Sequence, residues 1–502
     1  MNILEKNLAA ILPKNKSLYE CLQKASANND YVSAVVSKTG QPVPVFKDGH
    51  ALHSKYNPER ETASLFSPAD EFILFCGIGA AIHIAYFLKN FPEKKCAVTD
   101  ITTESLKSLL CSLDVSAVLA DPRVFILPPV FEPAFTAAFF AAYQPVRHGD
   151  LRLITLRPWE NFYAAQLARI HAIISAAVQS VQTDFATQAH FGKVWMKNII
   201  GNLQTASRLP PLLPAPMQTD RRKTALICGA GPSLTDSISR IKKNRSRFVI
   251  FASDTAFLPL LKNGIEAEFF LSVDPQLVSL QHFTRETKHT IGVFDLCALN
   301  ALVRIFRRNG NRFMFTASHH PLVQYASRFG VFPFAESGSG TVALYALDVA
   351  HRLGFSTVET AGLDFCYTGG KAYANGTYFE KQIARACTKL FPDETFFSAL
   401  MFRTAVQKQN GNGKINYTNE LLLHYRREAE HYRFDGECWK SRHFAQFDYA
   451  SFIGTLIRDL RENRADAETA LLPFAAYCKK RKKNYSNALA IKTILKYNAS
   501  YE

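Results

Sequence analysis

The ten cysteines of this chain, at 21, 76, 96, 111, 228, 297, 366, 387, 438 and 478, include no Cys-x-x-Cys pair. Zinc-ribbon spacing is thereby excluded, and buried reduced thiols in a reducing compartment are the expectation. No apolar run reaches the about 18 residues needed to span a bilayer. The nearest, Ala134 to Ala142, is short and bounded by Pro133 and Pro145. The N-terminus breaks its apolar residues with Glu5, Lys6, Lys14 and Lys16, so it has no continuous core of a secretory signal. A cytoplasmic protein without a transmembrane segment is expected. No repeat recurs at the roughly 20–50 residue periods of solenoids and propellers. Negative charge is in short supply: 43 Asp and Glu face 59 Lys and Arg, leaving +16. That excess suits nucleic acid, an anionic membrane or an anionic small molecule, and charge alone does not choose among them.

What remains is an ordinary globular composition of 502 residues, 47% hydrophobic and 20% charged. That length corresponds to about three domains of roughly 150 residues, with cores large enough to need no disulfide or metal staple. Two segments share one local grammar of apolar strand, glycine turn and helical pattern. The first runs from Glu71 through Gly77 and Gly79 to His83, and its next strand, Cys96 to Asp100, ends in an acid. The second runs from Thr224 through Gly229 and Gly231 to Asp236, followed by the strand Arg247 to Asp254. Strand, glycine turn, helix, strand opens a doubly wound parallel sheet. The fold expected is therefore α/β, with two Rossmann-like doubly wound domains and a mostly helical C-terminal domain. The limits are an N-terminal extension over 1–65, a Rossmann-like domain over 66–207, a proline-rich linker over 208–223, a central catalytic domain over 224–380 and a helical domain over 381–502. The linker holds four prolines between Pro210 and Pro216, which no helix interior tolerates. In the last domain, Phe452, Ile453, Leu456, Ile457 and Leu460 fall on one helical face, as do Leu489, Ile491, Ile494 and Leu495.

The second glycine turn is a candidate anion site. A strand ending in Gly-x-Gly and opening a helix aims backbone N–H groups and a positive helix end outward. Pro232 suits the first helical turn, and Ser233 adds a hydroxyl. The third glycine of a dinucleotide fingerprint is missing, because Leu234 stands there. A turn serving only tight packing is the competing reading. Further strand ends carry acids at Asp254, Asp274 and Asp364. A second donor-rich helix start is formed by Ser337, Gly338, Ser339, Gly340 and Thr341. Together these favour a nucleotide-sized anionic ligand at the carboxyl edge of a parallel sheet.

The segments Ile227–Leu234, Ser272–Pro275, Gly338–Val342 and Ala361–Asp364 resemble the motility accessory factor (Maf) family. His53 to Glu61 and Cys76 to His83 resemble features of its N-terminal part. These are flagellin glycosyltransferases whose central domain is shared with archaeal MptE-like hydroxymethylpterin diphosphokinases. The same stretches are more distantly similar to bacterial sialyltransferases that use CMP-sialic acid. The resemblance implies an inverting transferase that moves a nonulosonic acid of sialic, pseudaminic or legionaminic type. Its partners would be a CMP-activated nine-carbon donor and Ser or Thr of flagellin, with no nucleic acid, no cofactor and no metal. By carry-over, Gly229, Gly231, Pro232, Ser233 and the turn Ser337 to Thr341, including Gly338 and Ser339, would hold the CMP moiety near Asp254 and Asp274. Tyr367 and Tyr373 match two tyrosines that receive the leaving phosphate, with one extra residue between them. Asp364 joins them as a catalytic candidate.

Asp254 departs from the sialyltransferase pattern, which has asparagine there. A cation site from Asp254, Asp274 and Asp364 is the alternative use of the acids. The general base is not fixed by the sequence: no histidine lies between His351 and His424. The competitors are His319, His320, His424, Asp274 and Asp364. The N-terminal glycine turn lacks a third glycine, Ile82 taking its place. A degenerate scaffold, used for acceptor recognition, is its expected role. Two other functions stay open: a pterin diphosphokinase-like pyrophosphoryl transferase using ATP and Mg²⁺, and a non-enzymatic flagellin-binding chaperone.

Overall fold

A computed structural model describes residues 2–209, 222–283, 287, 289–338, 340–411, 414–440 and 446–500, without the side chains of residues 410, 411, 414 and 415. The core of the proline-rich linker and Ser339 therefore lie outside the described residues. The chain divides into two compact units, Met1–Thr187 and Gln188–Glu502.

In the first unit, the antiparallel hairpin of β1 (Tyr31–Val36) and β2 (Pro42–Phe46) precedes four parallel strands, β3 (Phe72–Cys76), β4 (Lys95–Thr99), β5 (Val124–Ile126) and β6 (Leu151–Thr155). Their order is β5-β4-β3-β6. All five residues of β3 are buried, as a central parallel strand covered on both faces requires. The first 65 residues share this core: Leu8, Ile11, Leu22 and Phe46 pack in one cluster with Phe75 and Leu109. The buried Asn7 fixes them by donating to Leu110 O at 2.9 Å and Leu113 O at 2.7 Å, and by accepting from Val115 N at 3.0 Å.

The second unit holds six parallel strands: β7 (Thr224–Cys228), β8 (Phe248–Ser253), β9 (Phe269–Ser272), β10 (Ile291–Asp295), β11 (Phe313–Thr316) and β12 (Val358–Ala361). Their order is β11-β10-β9-β8-β7-β12. The chain steps outward from β7 to β11, then returns to set β12 on the other side of β7. Strand order reverses at β7, and in open parallel sheets the crevice at such a reversal, outside the carboxyl ends, is where ligands bind. A three-stranded antiparallel sheet follows, of β13 (Tyr367–Thr368), β14 (Gln407–Gly411) and β15 (Lys414–Thr418), in the order β13-β15-β14.

Among the described residues beyond 380, the regular elements are helices apart from the β14–β15 hairpin, which the polar sequence did not announce. Its helices Tyr449–Arg461 and Asn487–Ala499 bury Phe452, Leu456, Leu460 and Ile494 in the same cluster as Leu302, Phe306 and Ala326. Leu495, expected on the buried face, is exposed. A 41-residue helix, Leu167–Ser207, begins with Ile170 and Ile174 in the first unit's core and ends with Ile199, Ile200 and Leu203 in the second's. The architecture is mixed α/β with two parallel sheets. Among the described residues no helix is long and apolar enough to cross a membrane.

Candidate active site

The glycine turn after β7 is packed against the turn after β12. Gly229 N donates to Ala361 O at 2.9 Å, and Gly231 N to Gly362 O at 2.8 Å. Ser233 N donates to Asp364 Oδ2 at 3.2 Å. A Cβ added at Gly229 would stand 2.6 Å from Gly362 O, and one at Gly231 would stand 2.7 Å from that same oxygen and collide with Asp364 Oδ2. Gly362 has φ +70°, and a Cβ there would run into Gly229 O. The glycines are thus required by the close approach of two loops. The sequence reading has this turn aim its N–H groups at a phosphate; here they meet acceptors of the loop after β12. Three of its donors are taken within the chain, and the Asp364 carboxylate occupies the N-terminus of the helix Ser233–Lys243, where an anion is stabilised by the helix dipole. Pro232 begins that helix with helical dihedrals.

The neighbouring strand ends, of β8 and β9, bring together a different set. Asp254 is buried and starts the helix Asp254–Lys262. Its Oδ1 accepts from Thr255 N at 2.7 Å and Thr255 Oγ1 at 3.1 Å, and its Oδ2 from Ser272 Oγ at 2.8 Å. Both oxygens of Asp254 are thus engaged, which fixes the orientation of its carboxyl group. Asp274 accepts from Gln276 N at 2.9 Å. Burial pushes its carboxyl pKa up, and the Asp254 charge pushes the same way. The turn that follows, Leu277–His282, ends at His282, only 5% exposed. Burial lowers the pKa of this imidazole, while the Asp254 and Asp274 carboxylates pull it upward. No pattern in the sequence marked His282.

The His282 ring packs edge-on against Tyr378 with centroids 4.8 Å apart. Tyr373 stacks on Phe379 at 4.6 Å. Burial raises the pKa of both phenols; the Asp254 charge adds to this, and Arg403 opposes it at Tyr373. Around neutral pH the cluster therefore presents protonated phenols, which donate, beside a neutral imidazole, which can accept a proton. Groups whose environments drive their pKa values apart in this way are the usual mark of acid–base work. Tyr367 is buried, and its hydroxyl accepts from Asn419 Nδ2 at 3.4 Å. Tyr367 lies in a small apolar cluster against which Tyr373 packs. A cavity of 410 Å³ beside Tyr378 is lined by Leu258, Leu261 and Leu280 and by the cations Lys262, Lys381 and Arg385.

The second donor-rich turn meets this cluster through Tyr425. Gly340 has φ +76°, and a Cβ on it would lie 2.9 Å from the Tyr425 ring. Ser337 Oγ donates to Asp295 Oδ2 at 2.9 Å, and Gly338 N to Glu336 Oε1 at 2.7 Å. Thr341 caps the helix Val342–Arg352 by accepting from Ala343 N at 3.3 Å. The histidine competitors lie elsewhere. His319 pairs with Glu336 at 3.3 Å. His320 is a half-buried helix cap that accepts from Leu322 N at 3.2 Å, and desolvation of its ring lowers its pKa to about 3. His424 is exposed on the helix Glu420–His431, where its neighbour Tyr425 turns toward the site.

The N-terminal glycine turn is also filled from within. A Cβ on Gly77 would stand 2.8 Å from the Trp159 ring, and one on Gly79 would stand 2.8 Å from Leu52. Asp100 accepts from Ile101 N at 2.8 Å and Trp159 Nε1 at 3.4 Å, and burial raises its pKa to about 6. Its carboxylate is turned inward. Among the described residues no group of three His, Cys, Asp or Glu is arranged to hold a metal ion.

The fold defined by these sheets is shared with the MAf glycosyltransferase from Magnetospirillum magneticum AMB-1, at a TM-score of 0.54 and 14% identity over 99% of this chain and 90% of that one. The family model for MptE-like 6-hydroxymethylpterin diphosphokinases matches residues 197–370. An uncharacterized protein of Treponema pallidum (strain Nichols) is 37% identical over 253 residues, which cover 48% of this chain and 88% of the relative. A second from the same organism is 35% identical over 167 residues, covering 33% and 78%. The chain belongs to one family with these treponemal proteins.

Proposed function

We propose that the chain is an inverting glycosyltransferase that moves a nonulosonic acid from a CMP-activated donor to Ser or Thr of flagellin, in the cytoplasm and in support of flagellar assembly and motility. The observation that carries this reading is the cluster of Tyr373, Tyr378 and His282 over Asp254 and Asp274, at the carboxyl edge of a sheet whose fold is shared with a MAf glycosyltransferase. In this reaction the acceptor hydroxyl oxygen bonds to the anomeric carbon while the bond from that carbon to the CMP phosphate oxygen breaks. His282 takes the hydroxyl proton as the new bond forms. Its neutral form is the one burial favours, and the two carboxylates stabilise the imidazolium that results. CMP departs as an anion, and O–H donors aimed at it act most strongly as its charge grows. Tyr373 and Tyr378 supply them, with Tyr367 holding the loop. The turn Ser337 to Thr341 and the cationic cavity beside Tyr378 receive the phosphate and the carboxylate of the donor. The central sheet and the N-terminal one serve as Rossmann-like domains, the latter for the acceptor. Mass spectrometry of flagellin from a strain lacking this protein tests the proposal. Loss of glycan mass is expected, whereas normal glycans with poor export would point to a chaperone.

A second reading, pyrophosphoryl transfer from ATP and Mg²⁺, is favoured by the match over residues 197–370 and by the paired acids Asp254 and Asp274. It predicts that ATP with Mg²⁺ raises the melting temperature and CMP does not, the reverse of the first.

A further inference from the structure

A second cavity, of 480 Å³, lies among Arg208, Arg304, Arg307 and Arg308, with Gln204 and Thr205 also on its wall. None of these arginines belongs to the tyrosine–histidine cluster. Arg304, Arg307 and Arg308 stand three and four residues apart on the helix Asn300–Arg308 and so share one face. Arg208 comes from the end of the long helix Leu167–Ser207, one residue beyond its last turn. Several other arginines of this unit are paired, as Arg240 and Arg247 are with Glu359, or Arg245 with Glu268. Among the described residues no carboxylate meets any of these four. A helix C-terminus favours a cation in its last turn, which accounts for Arg307 and Arg308. It does not account for four guanidinium groups from two helices facing one space.

We infer that this cavity binds a small oligophosphate, a ligand carrying two or more linked phosphate groups. The guanidinium fork matches phosphate oxygens in a bidentate way that lysine cannot. Side chains one helical turn apart are spaced for successive phosphates rather than for one. The cavity is of small-molecule size, which favours a compact ligand over an extended nucleic-acid track. Its remaining lining residues, Gln204, Thr205 and Ser500, are polar, so the ligand presents charge and hydrogen-bonding groups on this side and no large apolar body.

Titration calorimetry of the full chain with sodium tripolyphosphate, at fixed ionic strength and with sulfate as control, tests this. Saturable binding is expected for tripolyphosphate, weakened about tenfold or more in each of Arg304→Gln and Arg308→Gln, because each removes a charge-assisted contact. The side chains are exposed, so neither variant should change the melting temperature without ligand. Absence of saturable binding overturns the inference. So does equal affinity for sulfate, or unchanged affinity in both variants. Tighter binding of single-stranded DNA, growing with its length and lost in the same variants, would replace the small ligand with a nucleic-acid surface.

Discussion

Replacing Asp364 by alanine separates a structural carboxylate from a catalytic one. Its Oδ2 accepts from Ser233 N at 3.2 Å at the start of the helix Ser233–Lys243, and it lies where a Cβ on Gly231 would collide with it. Losing such an N-terminal acceptor costs about 0.5–2 kcal/mol. The favourable meeting of a negative charge with the helix dipole adds about 0.3–1 kcal/mol. The two overlap, so a net loss of about 1–2 kcal/mol is expected. For a large domain that corresponds to a melting shift of roughly 2–6 °C. Differential scanning calorimetry reads the shift, and hydrogen exchange locates it in residues 233–243. Asp364→Asn, which keeps an acceptor oxygen but no charge, should lose less than half as much. The reasoning is refuted if Asp364→Ala melts and exchanges like the parent while transfer is abolished. The carboxylate would then be acting on substrate.

Tyr373→Phe and Tyr378→Phe should each lower turnover by roughly ten- to a thousandfold with little change in melting temperature, since each removes one donor to the departing phosphate; unchanged kcat in both variants removes the phenols from the reaction. The parent's kcat should fall on the acid side with an inflection below the ordinary histidine value of 6.5, because burial lowers the pKa of His282, and His282→Gln should abolish that limb. An inflection above 6.5 would contradict the assignment. Stability should also fall on acidification. The folded pKa of His320, about 3 against an ordinary 6.5, means that the unfolded chain binds more protons between those values. Each such group contributes a slope of up to about 1.4 kcal/mol per pH unit. His320→Asn keeps the cap without the titration, so calorimetry from pH 7 to pH 4 should show a flatter decline in the variant.

The strands of the second sheet were largely legible, because β7, β8 and β9 are apolar runs that end in glycine or acid. The hairpin of β14 and β15 was not. Its residues Gln407 to Asn410 and Lys414 to Thr418 are mostly polar, so no alternating apolar face betrays it, although Asn410-Gly411-Asn412-Gly413 is a turn signal of the hairpin type. Residues 1–65 looked separate because their apolar residues are short and scattered; only the fold shows Leu22 and Phe46 meeting Phe75. The glycine turn was legible, but the partners of its N–H groups were not. Backbone carbonyls of Ala361 and Gly362, more than 130 positions away, decide whether its N–H groups are free, and no local pattern records that. His282 escaped for a related reason. It gains meaning only from the strand order that sets it beside Asp254 and Tyr378. Tyr367 and Tyr373, by contrast, were singled out by the family resemblance, which a local match after a strand end carries.

Incubation of purified flagellin with the chain and a CMP-activated nonulosonic acid, followed by intact-mass spectrometry and release of CMP, bears most directly on the transferase reading. The expected result is a gain of whole nonulosonate masses matched mole for mole by CMP and lost with His282→Gln. CMP released with no gain on flagellin, or no turnover at all, would contradict it.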